Sequence, residues 1–571
     1  MDYFVIAVVI SLLIYFFIGS YVGRRVKNID DYFVAGRKAP TLLIVGTLVA
    51  SYASTGMFLG ETGFAYDGYP FVLWGVVVIM INGCTLGAIY FGRFLRKSEA
   101  LTVPDFFGQR FHSKHVRRMA GITTVFGVTL YMVGVMQGMS LIFSELLGVP
   151  YWLSLCAIWF IFTSFTFYSG SRGVLITDTL MFLVFTVAGL AGSLYILNAL
   201  GGWEVVLTKL NALAHKQDII AWHGVNQPGA FFETALQAFI WMVTLGVVWA
   251  SVVAVSPWQS GRYLMAKNQH VVIRSGMIAT VIMAFFSILM MPTGAAINLL
   301  NPSINPSEQV MIWTSVNVFP MVLGVLTITG IFAAGLSSCS TFLSLVGFSL
   351  SHDIIGITAQ NKRSLNYSRL SMLVSGLVAL VLALLQPTAV MAMVYFAATL
   401  FASSWGPIAF VSVWSKNVTA PAAYWSICIG FFGNLAVAIA AKMGLIQLPV
   451  FLDPFIIGVV LSTLALIVIS PLSQPSKQAL AFQAALHEPQ PQTDTPAAAQ
   501  QEQKTTAKIA IAIMAIGVFV SCYLVFNYAR HLPQLYPDNT SAQIGGWLIA
   551  LLFGVPMVVA GFLGYKTAKR L

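Results

Sequence analysis

The sequence predicts an all-helical protein that crosses a membrane many times, and three observations carry the prediction. First, of 571 residues 58% are hydrophobic and only 9% are charged, against about 25% charged in soluble domains. A chain this long can bury a large soluble core, but such a core still needs a charged exterior, so the outer surface here has to face lipid. Second, the apolar residues fall into runs long enough to cross a bilayer, which takes about 20 mainly apolar residues per helix. Third, the Lys and Arg residues gather in alternate segments between those runs, as topology requires.

On the length criterion the runs lie near 4–22, 41–66, 71–93, 119–147, 151–169, 174–199, 232–255, 271–298, 310–350, 369–386, 389–413, 420–441, 453–471, 508–528 and 544–565, roughly fifteen spans. The first is followed by Arg24, Arg25 and Lys27 with no small-residue cleavage site, so it reads as a retained span and not a signal peptide. Arg37 and Lys38 continue the first basic loop. Arg93, Arg96, Lys97, Arg110, Lys114, Arg117 and Arg118 form the next. Arg172, then Arg262, Lys267 and Arg274, then Lys362, Arg363 and Arg369 mark later ones, whereas 299–308 and 529–543 are poor in Lys and Arg. The positive-inside rule then puts the N-terminus outside and the C-terminus, with Lys566, Lys569 and Arg570, in the cytoplasm. A bacterial inner membrane is the expected location.

Several function classes fall away. The net charge of +11 reflects these loops, and no basic patch interleaved with aromatics points to nucleic acid. Cys84, Cys156, Cys339, Cys428 and Cys522 all lie within apolar runs and show neither metal-ligand spacing nor a disulfide framework. The loops reach only about 35 residues, too short for an enzyme domain, and no nucleophile–base pair stands within the spans, so no enzyme activity is expected. Residues 472–507, rich in Gln, Pro and Ala, read as a mobile cytoplasmic linker with a short helix at 477–487. The linker and the two spans after it look like an appendage; a signalling protein partner there belongs to the reading of the chain as a membrane sensor.

Polar groups inside spans are costly and face a cavity or a partner. The second run carries Ser51, Ser54, Thr55, Gly56 and Gly60 at its middle. Such a stretch either unwinds, exposing carbonyl oxygens to a hard cation, or packs closely through small residues. In GIFAAGLSSCSTFLSL, residues Ala334, Ser337, Ser338, Ser340 and Thr341 share one arc of the helix. Four hydroxyls on that arc suit a weakly held sodium ion; the alternative is hydrogen bonding to the preceding turn or a neighbouring helix. Asp178 is an acid within a span, to be met by sodium, a proton or a basic residue. Glu61 is a gate or solute-contact candidate. In SPWQSGRYLMAKNQH, Pro257 and Gly261 disturb a helix before Arg262 marks the cytoplasm, and Trp258 and Gln259 either touch solute or pack.

Six stretches in order, DDYFVAGRK (30–38), ASYASTGMFLGETGFAY (50–66), LTVPDFFGQRF (101–111), YSGSRGVLITDTLMFLVF (168–185), SPWQSGRYLMAKN (256–268) and AAGLSSCSTF (333–342), resemble those of the sodium/solute symporter family. That family includes carriers of proline, pantothenate, monocarboxylates and glucose. The likeness spans about residues 1–470. It implies a five-plus-five inverted-repeat core of the leucine-transporter type: a preceding helix and loop (1–40), a first repeat (41–199), an external loop (200–231) and a second repeat (232–413). Two further spans (414–471), the linker (472–507) and two extra spans (508–571) follow. The resemblance implies a sodium site from the carbonyls of Ala50, Ala53 and Ala334 with the hydroxyls of Ser337 and Ser338. It also admits a second sodium at Asp178, Ser337, Ser340 and Thr341, although Met181 stands where relatives carry Gln. The solute contacts it implies are Ser54, Thr55, Met57, Phe58, Trp258 and Gln259. A small carboxylate is the expected solute; Glu61, where relatives are often apolar, leaves a cationic or zwitterionic one open. The rival readings are proton coupling through Asp178 and Glu61, and a transporter-like sensor.

Overall fold

In the computed structural model of the protein, residues 2–571 are described except 25, 27, 358–363, 386–389, 450 and 489–495. Arg25, Lys27, Lys362 and Arg363 of the expected basic loops, and part of the linker, lie outside the described residues. Helices dominate everywhere else, and two isolated bridges replace sheet among the described residues. That follows from the solvent: backbone groups in hydrocarbon have to bond within their own segment.

Among the described residues, thirteen helices are long and apolar enough to cross a membrane. One of them, Tyr151–Ala199, has 49 residues and is broken at Gly170 (φ 52, ψ −152). At about 1.5 Å per residue it is twice the length one crossing needs, so it supplies two. Only a glycine suits that break: its φ is left-handed, and an added Cβ would sit 2.5–2.7 Å from the Tyr32 ring and backbone. A further crossing comes from the bent pair Thr41–Tyr52 and Gly56–Tyr66, which meet at 54°. The expected count of about fifteen is thereby accounted for.

Three expectations change in detail. The run at 310–350 is divided into helices Val310–Asn317 and Met321–Phe348, because Pro320 disfavours helical geometry at Phe319. The linker is partly ordered. Residues 496–507 belong to the Pro496–Asn527 helix, and Lys477–His487 is a docked helix capped by the Ser476 side chain. It is held by Arg110 Nη1 donating to the Ala479 carbonyl (3.3 Å) and by Gln483 Nε2 donating to the Val413 carbonyl (3.0 Å). The C-terminal pair of spans also packs on the core. Tyr528 stacks on Phe71 at 4.2 Å, Trp203 Nε1 donates to the Tyr523 hydroxyl (2.9 Å), and Arg274 pairs with Glu502 at 2.7 Å.

The basic loops meet on one side of the bundle. Arg37 donates to the Glu99 carbonyl at 2.5 Å, Arg96 to the Ala266 carbonyl at 2.5 Å, and the Lys267 N–H to the Ala39 carbonyl at 2.9 Å. Helices approach each other through small residues, as expected where lipid offers no hydrophobic drive. At Gly83 an added Cβ would stand 2.2 Å from the Ala250 carbonyl oxygen. Gly83→Val should therefore destabilise the fold by about 1–3 kcal/mol, the usual cost of overpacking. Gly406→Ala, with its nearest neighbour at 4.0 Å, should be neutral. Thermal unfolding of the two purified variants in detergent checks the difference.

Candidate functional site

The Thr41–Tyr52 helix stops at Ala53, whose ψ of 90° turns its carbonyl out of the helical ladder. The chain resumes with a wide, π-type turn at Gly56–Glu61, and the Ser54 hydroxyl accepts from the Gly56 N–H at 3.1 Å. The break leaves the Ala50 carbonyl without the N–H that a continuing helix would bring four residues on. Side chains from the Met321–Phe348 helix supply the partner: Ser337 Oγ donates to the Ala50 carbonyl at 3.0 Å and Ser338 Oγ lies 3.5 Å from it. The same hydroxyls reach the Ala334 carbonyl at 2.9 and 3.1 Å. All four residues, and Ala53, are fully buried. Oxygens arranged about 2.4 Å from a hard cation lie roughly 3.4 Å from each other, so this neutral cluster fits a dehydrated monovalent cation with only a small rotation of the hydroxyls.

Asp178 is fully buried, and its Oδ2 accepts from Thr47 Oγ1 at 2.7 Å and from Thr341 Oγ1 at 3.3 Å. Arg262 Nη2 stands 3.4 Å from the same oxygen, at 3% side-chain exposure, and also donates to Thr341. Arg262 does stand at the end of the Ala235–Tyr263 span, but its side chain is turned inward to Asp178 instead of being solvated, and there each charge offsets the other's desolvation. Of the partners expected for Asp178, the basic residue is Arg262. Ser340 Oγ turns back to the Ser337 carbonyl at 3.0 Å, the hydrogen-bonding alternative to ligation.

Beside the break lies a cavity of about 520 Å³ that reaches the loop carrying Ser307 and Glu308, on the side away from the basic loops. Ser54 and Met57 line it, as does Glu61. The remaining solute candidates do not. Thr55 points toward Gly335, and Phe58 is wedged between Phe185 and Phe286 at 6.1 and 6.4 Å. Trp258 is enclosed by Tyr131, Phe342 and Phe401 at 5.1–5.7 Å. Gln259 Nε2 donates to the Leu48 carbonyl at 3.2 Å, bracing the broken helix. The residues that sequence reasoning missed are aromatic: Tyr52, Phe64, Tyr131, Trp241, Trp249 and Tyr395. Trp241, Leu245 and Trp249 are spaced four apart on the Ala235–Val255 helix, a stripe that was the available signal. On the opposite side only about 20 Å³ remains beneath Arg262, Thr341 and Phe348, where Phe33 stacks on Phe348 at 4.0 Å.

The profile of the sodium:solute symporter family matches residues 32–430. The chain belongs to that family. Among relatives of this symporter, the sodium/pantothenate symporter of Haemophilus influenzae is 25% identical over 343 residues, covering 58% of this chain and 67% of that one. The osmoregulated proline transporter OpuE of Bacillus subtilis is 23% identical over 493 residues, covering 80% and 94%. A solved Na⁺-coupled sialic acid symporter, in a substrate-bound outward-open state, shares the fold at a TM-score of 0.69 and 20% identity, covering 83% of this chain and 98% of that one. The symporter thus has the five-plus-five inverted-repeat architecture, and sodium is the coupling ion of its family.

The buried pair sets a first test of this symporter's interior. Removing one partner strands a buried charge and should cost about 3–5 kcal/mol in Asp178→Asn or Arg262→Gln. Asp178→Leu combined with Arg262→Met should be markedly less destabilised than the sum of Asp178→Leu and Arg262→Met made singly. Additive losses in an unfolding series would contradict the coupling.

Proposed function

We propose that the protein takes up a small organic solute with sodium by alternating access, from the N-terminal side of a bacterial inner membrane, with the C-terminus cytoplasmic. The single observation that supports this best is the convergence of Ser337 and Ser338 on the Ala50 carbonyl. It joins the broken helix of one repeat to a helix of the other at the place where a cavity begins. Sodium at Ala50, Ala53, Ala334, Ser337 and Ser338 holds those helices together and completes the wall formed by Ser54 and Met57. That stabilises the state in which the cavity faces the Ser307 loop. Solute entry and closure of that loop then give way to opening beneath Arg262 and Phe348. A single charge moving through 100 mV gains about 2.3 kcal/mol, before the sodium gradient is added.

Asp178, held by Arg262, argues for one sodium in this state. The second sodium at Asp178, Ser340 and Thr341 requires the guanidinium to withdraw. Proton coupling has one observation in its favour, the Glu61 Oε2 atom, buried without a hydrogen-bond partner. Relatives named for proline and pantothenate support a small organic solute.

The test is uptake of radiolabelled proline, pantothenate and choline by protein reconstituted in vesicles. An inward sodium gradient should drive uptake of a transported solute. Ser338→Ala should raise the sodium concentration for half-maximal uptake at least tenfold, about 1.4 kcal/mol of lost binding. Uptake driven equally well by a proton gradient with no sodium would replace this reading with the proton-coupled one. Sodium-dependent binding with no uptake would favour a sensor.

A further inference from the structure

Accepting the sodium-coupled reading, the cavity carries information about its solute that the relatives do not. Its charge is of one sign. Glu61, Asp67 and Glu308 line it, and no Lys, Arg or His stands among its described lining residues. The three acids are not equivalent. Asp67 Oδ2 accepts from Ser307 Oγ at 2.7 Å and lies in the field of Lys216. Glu308 is exposed at the rim. Glu61 is at the floor, next to the break, with Oε2 buried and without a hydrogen-bond partner.

Lys216, the cation that acts on the lining residue Asp67, is already committed. Lys216 Nζ donates to the Tyr66 carbonyl at 2.6 Å and to Asn298 Oδ1 at 2.9 Å, and rests 4.0 Å from the Tyr66 ring centre. Burial pulls its ammonium down to about 8, which leaves it mostly charged at neutral pH, but its donors are occupied. The expected carboxylate solute therefore finds no basic group to receive it, and would meet the Glu61 carboxylate instead.

The walls have the same preference as the floor. Tyr52 and Trp249 meet edge-on at 6.5 Å, and Phe64 lies 5.3 Å from Trp241; with Tyr131 they line the same cavity as Glu61. Aromatic faces carry negative quadrupole density and attract a cation, more so when it is desolvated. A carboxylate within such a box lowers the cost of stripping water from an ammonium group. Apolar lining such as Met57, Leu73 and Leu245 suits the hydrocarbon part of the same molecule.

We propose that the cavity binds an organic ammonium solute whose positive nitrogen lies against Glu61 within the aromatic walls. The shared chemistry is the ammonium, whether it belongs to a plain cation or to the cationic end of a zwitterion.

Matched pairs of probes test this on the full-length wild-type protein in sodium chloride, read by thermal stabilisation and titration calorimetry. Choline is compared with its uncharged isostere 3,3-dimethylbutanol, and L-proline with cyclopentanecarboxylate, which lacks only the nitrogen. Pantothenate stands for a plain anion. At least one ammonium probe should bind at millimolar concentration or better and at least tenfold more tightly than its nitrogen-free partner. Choline binding identifies a plain cation, and proline binding without choline identifies a zwitterion. Glu61→Gln should weaken the ammonium ligand at least tenfold while Glu61→Asp retains most of the affinity, and sodium stabilisation of the unliganded protein should persist in both. The proposal is overturned if no ammonium probe stabilises the wild type at millimolar concentration, if cyclopentanecarboxylate or pantothenate binds as well as the ammonium probes, or if Glu61→Gln leaves their affinity unchanged. Equal stabilisation in sodium and potassium chloride, with ammonium selectivity intact, would instead sink only the sodium reading.

Discussion

A carbonyl oxygen deep in a membrane protein has to be met, and the interior of this chain is arranged around one that its own helix does not meet. The Thr41–Tyr52 helix ends before the turn over Ala50 closes, in a medium where an unsatisfied backbone group costs several kcal/mol. Two serine hydroxyls from a helix nearly 290 residues further along the chain answer it. These contacts tie the broken helix to the Met321–Phe348 helix. The cavity, the position of Glu61 and the brace from Gln259 all follow from where that helix breaks.

The second constraint is charge. Asp178 and Arg262 form a buried pair close to the serine–carbonyl cluster at Ala50, linked to it through the Ser337–Thr341 arc. Asp178 Oδ1 and Arg262 Nε have no hydrogen-bond partner among the described residues, so the pair is incompletely satisfied. Such a pair is costly to form and costly to break, which makes it better suited to specifying one arrangement of the Pro257–Tyr263 segment than to adding stability. It sits on the closed side of the molecule, with the stacked Phe33 and Phe348, while the open side is bounded by the loop at Ser307.

Much of this was readable from residue order, for identifiable reasons. Spans are legible because crossing hydrocarbon sets a length, and the break near Ser54 is legible because glycine, serine and threonine cluster where a helix former is expected. Arg262 was only half legible: after Pro257 and Gly261 and before Lys267 it looks like the end of a span, and the Ala235–Tyr263 span does end there, but nothing in its neighbours reports that its side chain turns inward to Asp178. The aromatic walls were hidden for another reason, since Trp and Tyr near span ends ordinarily read as interfacial anchors. Phe58 and Trp258 were placed by their proximity to breaks, yet side chains on opposite faces of a broken helix share that proximity. The linker illustrates the limit of composition. Its Gln- and Ala-rich stretch reads as mobile, but Gln483 donates to the Val413 carbonyl of the core and the Ala479 carbonyl accepts from the Arg110 side chain.

The measurement that bears most directly on the account is equilibrium binding of radioactive sodium to the purified protein, with Ser337→Ala and Ser338→Ala alongside. The account predicts one saturable sodium site in the wild type that is lost or at least tenfold weaker in both variants, while their folding is retained. Saturable binding that survives both substitutions, or none in the wild type, would contradict a sodium ion held between the broken helix and the serine pair.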